Sequence, residues 1–353
     1  MKIKYIFCFA CAVLLAACAN NEKKSKERDI TVVFVPKVTG NAFFESANRG
    51  AQAYAEKYGF TVDYRGSPVA EFRNQIDIIE EAIAEKAAAI CISSLDATAL
   101  DPVLKKAMAA GIAVTTWDSD VSGDARTVMV SQGTPEQLGH MLVEMAAKSL
   151  ASRGKTTSEP IRYVWHYSQA SVTDQNSWQA AGEQYIRGTY PKWINLAPEN
   201  YYSGQNFEKA VKVGEEIFAA HPGIDLVICN DSTSLPGQAQ AAKNLGLSSA
   251  NITITGFASP NGMREYCGEG IVERWGLWDC GVQGAIGCYM AYYLASGNSL
   301  RVGDRIDIPG IGLLEVMPNT VLDPGAYTAP DSGVVLLPDR LEFTARNVDN
   351  YDF

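Results

Sequence analysis

Residues 161–178 read IRYVWHYSQASVTDQNSW, and this segment sets the interpretation of the whole chain. The apolar and aromatic run 161–167 predicts a buried strand, and residues 177–190 have the spacing of a helix. Carboxylate, amide and hydroxyl side chains lie between them. In open α/β sheets, small ligands bind at the carboxyl ends of strands, where helices begin. The segment therefore predicts an α/β sheet with a ligand site at its edge.

The polar residues of this segment suit a polyhydroxylated ligand. An ionised Asp174 supplies only hydrogen-bond acceptors, whereas Gln175 and Asn176 both donate and accept. The alternative needs no ligand: the residues would form a capped helix start, with Thr173 or Asp174 as the N-cap.

Strand-like and helix-like segments alternate along the rest of the chain. Strands are predicted at 29–35, 60–64, 88–93 and 112–117, with helices at 44–58, 75–84 and 99–110. The pattern then restarts, with helices at 135–150, 208–221 and 237–245, and strands at 226–229 and 252–257. Such alternation predicts parallel sheets covered by helices, so we expect an α/β protein with two similar lobes.

The composition is that of an acidic globular protein. Over 353 residues, 47% apolar and 20% charged content supplies enough core for two domains. The formal net charge of −10 argues against nucleic acid as a partner, because no basic surface is available for phosphates. Beyond the N-terminus no apolar run reaches about 18 residues, so no spanning helix is predicted.

The N-terminus has the features of an export signal. Lys2 and Lys4 precede the apolar run 5–16, and small residues lead directly into Cys18. This arrangement resembles the lipobox of bacterial lipoproteins. We therefore expect a signal peptide over 1–18, lipidation of Cys18 and a polar tether over 19–28, which would anchor an exported protein at the cell envelope. The alternative is an ordinary secretory signal.

The remaining cysteines give no sign of a metal or redox site. Cys91 and Cys229 lie in strand-like runs and are predicted to be buried free thiols. Cys267 and Cys280 flank one short predicted strand and are candidates for a disulfide. No spacing of ligand residues suggests zinc, so no metal is predicted.

Polar and aromatic residues recur where predicted strands end. The candidates for ligand contact are Lys37, Phe43, Trp117, Asp118, Asp174, Gln175, Asn230, Ser232, Trp278 and Asp279. Asp118 and Asp174 are suited to accept hydroxyl hydrogen bonds, and Lys37 to donate to a ring or hydroxyl oxygen. The aromatic rings offer flat faces to the C–H side of a sugar. The alternative for these rings is simple core packing.

The sequence lacks the motifs of common enzymes. It has three histidines, and only His166 is expected near the strand ends, without a serine or cysteine nucleophile motif. There is no P-loop and no dinucleotide-binding glycine motif. Asp118 and Asp174 also allow interpretation as a glycosidase pair. We expect a binding protein that is not an enzyme and has no cofactor.

Taken together, the motifs resemble a known family. The matching segments are FVPK at 34–37 with FF at 43–44, TWDSD at 116–120, QGT at 132–134, VTDQN at 172–176, GFASPN at 256–261, GLWD at 276–279 and NYDF at 350–353. They resemble the periplasmic sugar-binding proteins of ABC importers, of the ribose-binding type, and most closely the autoinducer-2-binding proteins called LsrB. The resemblance covers nearly all of the mature chain.

This resemblance implies a periplasmic binding protein fold of type I. Two Rossmann-like lobes would enclose a hinged ligand cleft, with chain crossings near Gln132, near Asp279 and in the tail. The first lobe would comprise 29–131 plus 280–303, and the second 132–279 plus 304–353. The protein would act as a monomer that delivers autoinducer-2, a quorum-sensing signal, or a small sugar to an inner-membrane ABC permease.

The resemblance also assigns residues, with one departure from the family. The family's ligand lysine, carboxylates and glutamine fall on Lys37, Asp118, Asp174 and Gln175. The family's Pro-Asp-Ala run is Asn-Asp-Ser at 230–232 in this chain.

Two observations bear on which ligand is expected. Related rhamnose-binding proteins have asparagine at the positions of Asp174 and Asp279, which favours autoinducer-2. Inward-facing side chains of Asn230 and Ser232 would instead favour a different sugar, because a site built around a hydroxyl rejects ligands that lack it. Rhamnose or another aldose therefore stays an alternative ligand, and sensing for a membrane receptor an alternative role.

Overall fold

The computed structural model describes residues 30–353 and contains two α/β lobes. The predicted signal peptide, the lipidation site Cys18 and the tether lie outside these residues. Each lobe is built around a mainly parallel sheet, as the alternation of strands and helices predicts. Among the described residues, each helix is too short or too polar to cross a membrane.

A seven-stranded sheet forms the centre of the first lobe. Its strands are β1 (Thr31–Val35), β2 (Thr61–Tyr64), β3 (Ala89–Ile92), β4 (Ala113–Trp117), β5 (Val128–Ser131), β14 (Met317–Pro318) and β15 (Gly333–Leu336). The order across the sheet is β14-β15-β5-β4-β3-β1-β2, and only β14 is antiparallel to its neighbour. The central strands are apolar almost throughout because helices or loops cover both faces of the sheet.

Four helices cover this sheet: α1 (Ala42–Tyr58), α2 (Phe72–Ala84), α3 (Asp101–Ala109) and α9 (Cys280–Ala295). Helix α9 packs directly on α1. A Cβ atom added at Gly284 would lie 2.5 Å from the carbonyl oxygen of Ala47, so only glycine permits this approach. The two helices therefore form a close-packed layer beside the strand ends of the first lobe.

The second lobe repeats the construction with a smaller sheet. Its strands are β6 (Arg162–Tyr167), β7 (Ile194–Asn195), β8 (Tyr201–Tyr202), β9 (Leu226–Cys229) and β10 (Thr253–Gly256). The order is β10-β9-β6-β7, and β8 also pairs with β6. Its helices are α4 (Pro135–Ser152), α5 (Thr173–Thr189), α6 (Phe207–Ala220), α7 (Ser234–Asn244) and α8 (Pro260–Gly268). The short strands β7 and β8 and helix α8 are not predicted by the sequence patterns.

Small antiparallel pairs complete the fold. Strand β11 (Trp275–Leu277) pairs with β16 (Leu341–Phe343), and β12 (Arg305–Ile308) with β13 (Gly312–Glu315). The tail was expected in the second lobe, but β14 and β15 belong to the sheet of the first. The reason is that β15 pairs with β5 and extends the sheet at that edge. Of the tail's strands, only β16 pairs with a strand of the second lobe.

The chain passes between the lobes at 132–134, at 278–279 and at 337–340 within the described residues. These three segments are called the first, second and third crossing below. The first follows β5, the second follows β11 and the third follows β15.

The predicted disulfide between Cys267 and Cys280 is wrong. Both are buried free thiols, as are Cys91, Cys229 and Cys288. Cys267 lies in α8 of the second lobe, whereas Cys280 begins α9, which packs against the first lobe. The two cysteines therefore belong to helices of different lobes, although they are close in sequence.

Candidate functional site

A cavity lies between the two lobes, at the carboxyl ends of strands from both sheets. Its atom-free space, counted together with the part that is open to solvent, is about 320 Å³. It is lined by Lys37, Phe43, Phe44, Asp118, Gln175, Trp178, Gln205, Asn230, Asp231, Ser232, Phe257, Leu277 and Trp278. Aromatic walls with a few converging polar groups are typical of sites for small ligands.

The first lobe contributes a buried ion pair. Lys37 follows β1, and its Nζ lies 3.0 Å from Oδ2 of Asp118, which follows β4. The Ser93 hydroxyl, at the end of β3, donates to the same oxygen at 2.7 Å. Lys37 and Asp118 are only 3% and 5% exposed, so neither charge can rely on water. This pair is assembled entirely from the first lobe.

Negative charge around Lys37 exceeds its single positive charge. Burial by itself would lower the pKa of the Lys37 ammonium, but the charges of Asp118, Asp174 and Asp231 outweigh burial and raise that pKa above its ordinary value. Lys37 is therefore cationic at neutral pH. The excess of carboxylates favours a ligand that brings hydrogen-bond donors.

Asp118 occupies a strained backbone position. Its φ is +60°, and the Ser119 amide donates to the Trp117 carbonyl at 2.6 Å, which closes a γ-turn around it. A left-handed non-glycine residue costs about 1–3 kcal/mol and persists where its surroundings hold it, commonly at functional sites. The turn directs Asp118 towards Lys37 and Ser119 towards the opposite lobe.

Asp174 faces the first lobe but does not line the cavity. Its Oδ1 and Oδ2 each lie 2.9 Å from the Ser119 hydroxyl across the cleft. Burial raises the pKa of Asp174 to about 6; the positive charge of Lys37 opposes the rise, and the negative charge of Asp118 adds to it. Asp174 instead lines a neighbouring groove, which it shares with Asp118. The carboxylate therefore connects the lobes beside the cavity.

The start of α5 differs from the prediction. The helix begins at Thr173 rather than Ser177, so Asp174 and Gln175 belong to its first turn. Val172 occupies the N-cap position and no side chain caps the helix, so the predicted cap at Thr173 or Asp174 is wrong.

Gln175 is fixed in the cavity wall by two bonds from the end of β6. The Ser168 hydroxyl donates to its Oε1 at 2.5 Å, and the Tyr167 hydroxyl donates to its backbone carbonyl at 3.1 Å. The same carbonyl accepts from Asn230 Nδ2 at 3.4 Å.

Residues 230–232, where the chain departs from the family pattern, carry unpaired acceptors. Within the described part of the chain, Asn230 Oδ1 and Asp231 Oδ2 are buried and have no hydrogen-bond partner. The other Asp231 oxygen accepts from the Ser234 amide at 2.7 Å, and burial raises the pKa of Asp231. Buried acceptors without donors are unusual in folded proteins, and a bound ligand is one source of the missing donors.

Ser232 points across the cleft rather than towards these acceptors. Its hydroxyl donates to Asn41 Oδ1 at 3.3 Å, and Asn41 Nδ2 donates to the Thr233 hydroxyl at 3.2 Å. The same Asn41 oxygen caps α1 by accepting from the Phe43 amide at 2.9 Å. The lobes are therefore in direct contact at this edge of the cavity.

The aromatic residues form two layers. Phe43 and Trp278 line the cavity with their ring centroids 5.9 Å apart, edge to face. Trp117 was expected to offer a face to the ligand, but it lies behind Phe43, stacked at 6.0 Å and 7°. It is fully buried between β4 and α9, where it supports Phe43.

Asp279 lies outside the cavity. Its Oδ1 accepts from the Val282 amide at 2.9 Å, which makes it the N-cap of α9. It borders a separate surface groove formed by α1, α9 and the C-terminal residues. Asp279 therefore acts as a helix cap within the second crossing.

Several cavity residues are not among the predicted site residues: Trp178, Gln205, Asp231 and Phe257. Asp231 lies between two residues that the sequence pattern did indicate. Phe257 is part of a matching family segment. Gln205 follows the unpredicted strand β8 and is left-handed, with φ +57°, so no periodicity points to it.

Two further observations concern metal binding and His166. Among residues 30–353, no group of His, Cys, Asp and Glu side chains is arranged to hold a metal ion. His166 is buried against Gln238, with its Nδ1 3.0 Å from the amide oxygen, and burial lowers its pKa to about 4. The imidazole is therefore neutral, and it does not line the cavity.

Comparison with protein families identifies similar proteins. A family model described as periplasmic binding protein domain matches residues 32–299. A D-ribose/D-allose-binding protein of Pseudomonas aeruginosa is 23% identical over 304 residues, which covers 82% of this chain and 91% of that protein.

Two solved structures are similar over nearly the whole chain. LsrB from Clostridium saccharobutylicum, in complex with AI-2, is 61% identical with a TM-score of 0.91, covering 92% of this chain and all (100%) of that one. A solute-binding protein of an ABC transporter from Clostridium phytofermentas, with bound L-rhamnose, is 21% identical with a TM-score of 0.81, covering 91% and 97%. At that lower identity the second likeness is one of fold alone.

Proposed function

The chain belongs to the periplasmic binding protein family, and from this we propose that it captures AI-2 (autoinducer-2), or a closely related small sugar, between its lobes and delivers it to an ABC permease. The observation that carries the proposal is the cavity itself. A buried ion pair on one wall, Lys37 with Asp118, faces unpaired acceptors on the other, at Asn230 and Asp231. A ligand with several hydroxyl groups would supply the donors that these acceptors lack.

The polar groups have complementary roles in this proposal. Asp118 has a second oxygen available for a ligand hydroxyl, because Lys37 and Ser93 both use Oδ2. Lys37 would donate to a ring or hydroxyl oxygen. Asn230 Oδ1 and Asp231 Oδ2 would accept from hydroxyls on the opposite side of the ligand. Hydrogen bonds to ionised groups are the stronger kind, so the carboxylates would dominate the affinity.

Asp174 would enter the site from its edge. It contacts Ser119, and a small rearrangement of that contact would let its carboxylate accept a ligand hydroxyl. Phe43 and Trp278 would pack against the C–H face of the ligand. The small cavity favours a monosaccharide-sized molecule over an oligosaccharide.

The role is binding without catalysis. A glycosidase needs an acid and a second carboxylate free to act on the substrate. Here Asp118 is engaged in a buried ion pair with Lys37 and accepts a hydrogen bond from Ser93. Two of the proteins described above support this assignment, since they are named as a D-ribose/D-allose-binding protein and a solute-binding protein.

The location we propose is the cell envelope, with the exported protein anchored by lipid on Cys18. Serine at this position cannot form the thioether that carries the lipid, so Cys18→Ser should release the protein from membranes into the soluble fraction. Cell fractionation and immunoblotting would measure this. A variant that stays in the membrane fraction would disprove lipidation at Cys18.

The test of function is a calorimetric titration of the soluble form, from about residue 20 onward, with autoinducer-2 and then with rhamnose, ribose, xylose and galactose. Tight one-to-one binding of autoinducer-2 in preference to the aldoses would support the proposed ligand. Preferred binding of an aldose would show that the aldose, and not autoinducer-2, is the ligand, and it would still agree with a role in import. If heat continues to be released after one equivalent of ligand has been added, the protein is turning the ligand over. That result would contradict the assignment as a binding protein.

A further inference from the structure

The three crossings between the lobes meet at one buried residue, Gln132, which is 1% exposed. Gln132 follows β5 directly and begins the first crossing. Its backbone carbonyl accepts a hydrogen bond from Arg340 Nη1 at 3.1 Å, and the same nitrogen donates to the Leu337 carbonyl at 3.3 Å. Since Arg340 and Leu337 belong to the third crossing, the first and third crossings are joined at this residue.

The second crossing reaches Gln132 through Gln283, near the start of α9. The Trp278 indole nitrogen donates to Gln283 Oε1 at 2.6 Å. Gln283 Nε2 then donates to Gln132 Oε1 at 3.0 Å and to the Val130 carbonyl at 2.9 Å. Because Trp278 lines the cavity, these bonds connect the cavity wall to all three crossings.

The amide nitrogen of Gln132 leads back to the cavity from the other side. Gln132 Nε2 donates to the backbone carbonyl of Asp118 at 3.1 Å. Asp118 is the strained residue of the γ-turn, and its carboxylate pairs with Lys37. The hydrogen bond from Gln132 fixes one side of this turn, so the orientation of the carboxylate depends on it.

We propose that Gln132 is a positioning residue that couples the angle between the lobes to the orientation of the Asp118 carboxylate. Both ends of its amide are engaged in a buried network, where a lost hydrogen bond is costly. Arg340 bonds to the backbone carbonyl of Gln132, and Trp278 reaches the Gln132 amide through Gln283. A rotation about the crossings moves Arg340 and Trp278, so it displaces Gln132 and strains its bond to the Asp118 carbonyl. Opening the lobes therefore releases the Asp118 turn, and closure restores it.

This inference rests on the proposed function, because it concerns the regulation of the same cavity. It makes ligand capture and lobe closure a single event: the first lobe presents its carboxylate in the binding orientation only when the crossings are in the closed arrangement. In thermodynamic terms, the ligand favours closure through its preference for one orientation of Asp118.

The first experiment compares two alanine variants of buried glutamines. Gln132→Ala removes the coupling, whereas Gln238→Ala removes a fully buried glutamine whose hydrogen bonds, within residues 30–353, go to His166 and the Gly214 carbonyl of the second lobe. Stopped-flow tryptophan fluorescence with autoinducer-2, or with whichever test sugar the wild type binds, gives the dissociation rate. We expect about tenfold faster dissociation for Gln132→Ala and a near wild-type rate for Gln238→Ala.

The same change in both variants, or none in Gln132→Ala, would overturn the proposal. Gln132→Glu keeps the acceptor for Gln283 and loses the donor to Asp118. It should also speed dissociation, and it replaces the alanine variant if that variant does not fold. Wild-type dissociation in Gln132→Glu would equally refute the coupling.

A second experiment needs no ligand. Gln283→Met has a similar length but lacks the amide. Within the described residues, Gln283 reaches the γ-turn through Gln132 and through the Val130 carbonyl, which also accepts from the Asp118 amide at 3.3 Å. Hydrogen exchange of the Ser119 amide, which donates within the turn, should become about tenfold faster in this variant. Unchanged exchange would overturn the relay. Because the ligand is absent, a wild type that fails to bind autoinducer-2 would count only against the proposed function.

Discussion

The two walls of the cavity differ in how their polar groups are satisfied. On the first lobe, Lys37, Ser93 and Asp118 satisfy one another through a 3.0 Å ion pair and a 2.7 Å hydrogen bond. On the second lobe, Asn230 Oδ1 and Asp231 Oδ2 are buried with no partner among the described residues. One wall is complete before a ligand arrives, and the other is not.

This difference separates two contributions to binding. A preassembled charge pair lowers the cost of ordering the site, because little has to move when the ligand arrives. Unpaired acceptors do the opposite: they penalise the empty closed state and reward a ligand that brings donors in the right places. The first wall is therefore suited to provide affinity, and the second to choose between ligands.

The largest expected effect comes from breaking the complete wall. Asp118→Asn leaves the Lys37 ammonium buried without its partner, and breaking a buried ion pair costs about 3–5 kcal/mol. Urea denaturation should show a loss of that order, and calorimetry should show no ligand binding. The exposed pair of Lys105 and Asp124 provides the control, since Asp124→Asn should leave both stability and binding unchanged. Equal stability of the two variants would contradict the importance of the buried pair.

The second-largest effect is expected from Asp174, the carboxylate at the edge of the cavity. Asp174→Asn should weaken ligand binding by more than tenfold, at least about 1.4 kcal/mol, if this side chain accepts ligand hydroxyls. Isothermal titration with the ligand identified for the wild type measures the change. Because asparagine keeps the size of the side chain and can still bond to Ser119, the fold should be retained. Unchanged affinity would remove Asp174 from the site.

Lowering the pH should reproduce part of this loss of ligand affinity. Burial raises the pKa of Asp174 to about 6, and ligand hydroxyls would stabilise its ionised form and lower that pKa in the complex. Affinity should therefore be constant above pH 6 and fall by up to about tenfold per pH unit as the pH drops below 6. Titrations between pH 7.5 and pH 5 in Asp174→Asn should show a weaker dependence; an identical slope would assign it to another group, such as Asp231.

The smallest effect is expected where the incomplete wall departs from the family pattern. Changing Asn230 to proline and Ser232 to alanine removes one unpaired acceptor and one 3.3 Å bond across the cleft. Affinity should fall about three- to tenfold for a ligand that donates to Asn230 and remain unchanged for others, so the ranking of sugars should shift. A ranking identical to that of the wild type would show that these positions do not determine specificity.

Much of the architecture follows from sequence because it is local. Buried parallel strands are apolar runs, and the helices between them carry a periodic stripe, so the alternation alone predicts two α/β lobes. The polar residues at the strand ends were found in the same way. Lys37 and Asp118 meet because they follow β1 and β4, the two strands that flank β3 in one sheet.

The sequence-based predictions are wrong where contacts between residues distant in sequence determine the structure. The first turn of α5 contains residues that usually lie outside helices, and tertiary contacts such as Ser168 with Gln175 hold it in place. Helix α8 looked like a loop because it is rich in Gly, Asn and Pro, although Ser259 caps it and Pro260 begins it. No local pattern indicates that Trp117 lies behind Phe43, or that β15 extends the sheet of the first lobe.

The position of β15 has a consequence for how the protein matures. The sheet of the first lobe combines strands from residues 31–131 with a strand at 333–336. During synthesis, its edge beside β5 stays open until almost the entire chain has emerged. Long-range pairing of this kind slows folding and postpones it to the end of translation. A polypeptide that remains loosely structured until its last segment appears suits passage through a secretion channel, which accepts unfolded chains, and it would fold only after crossing.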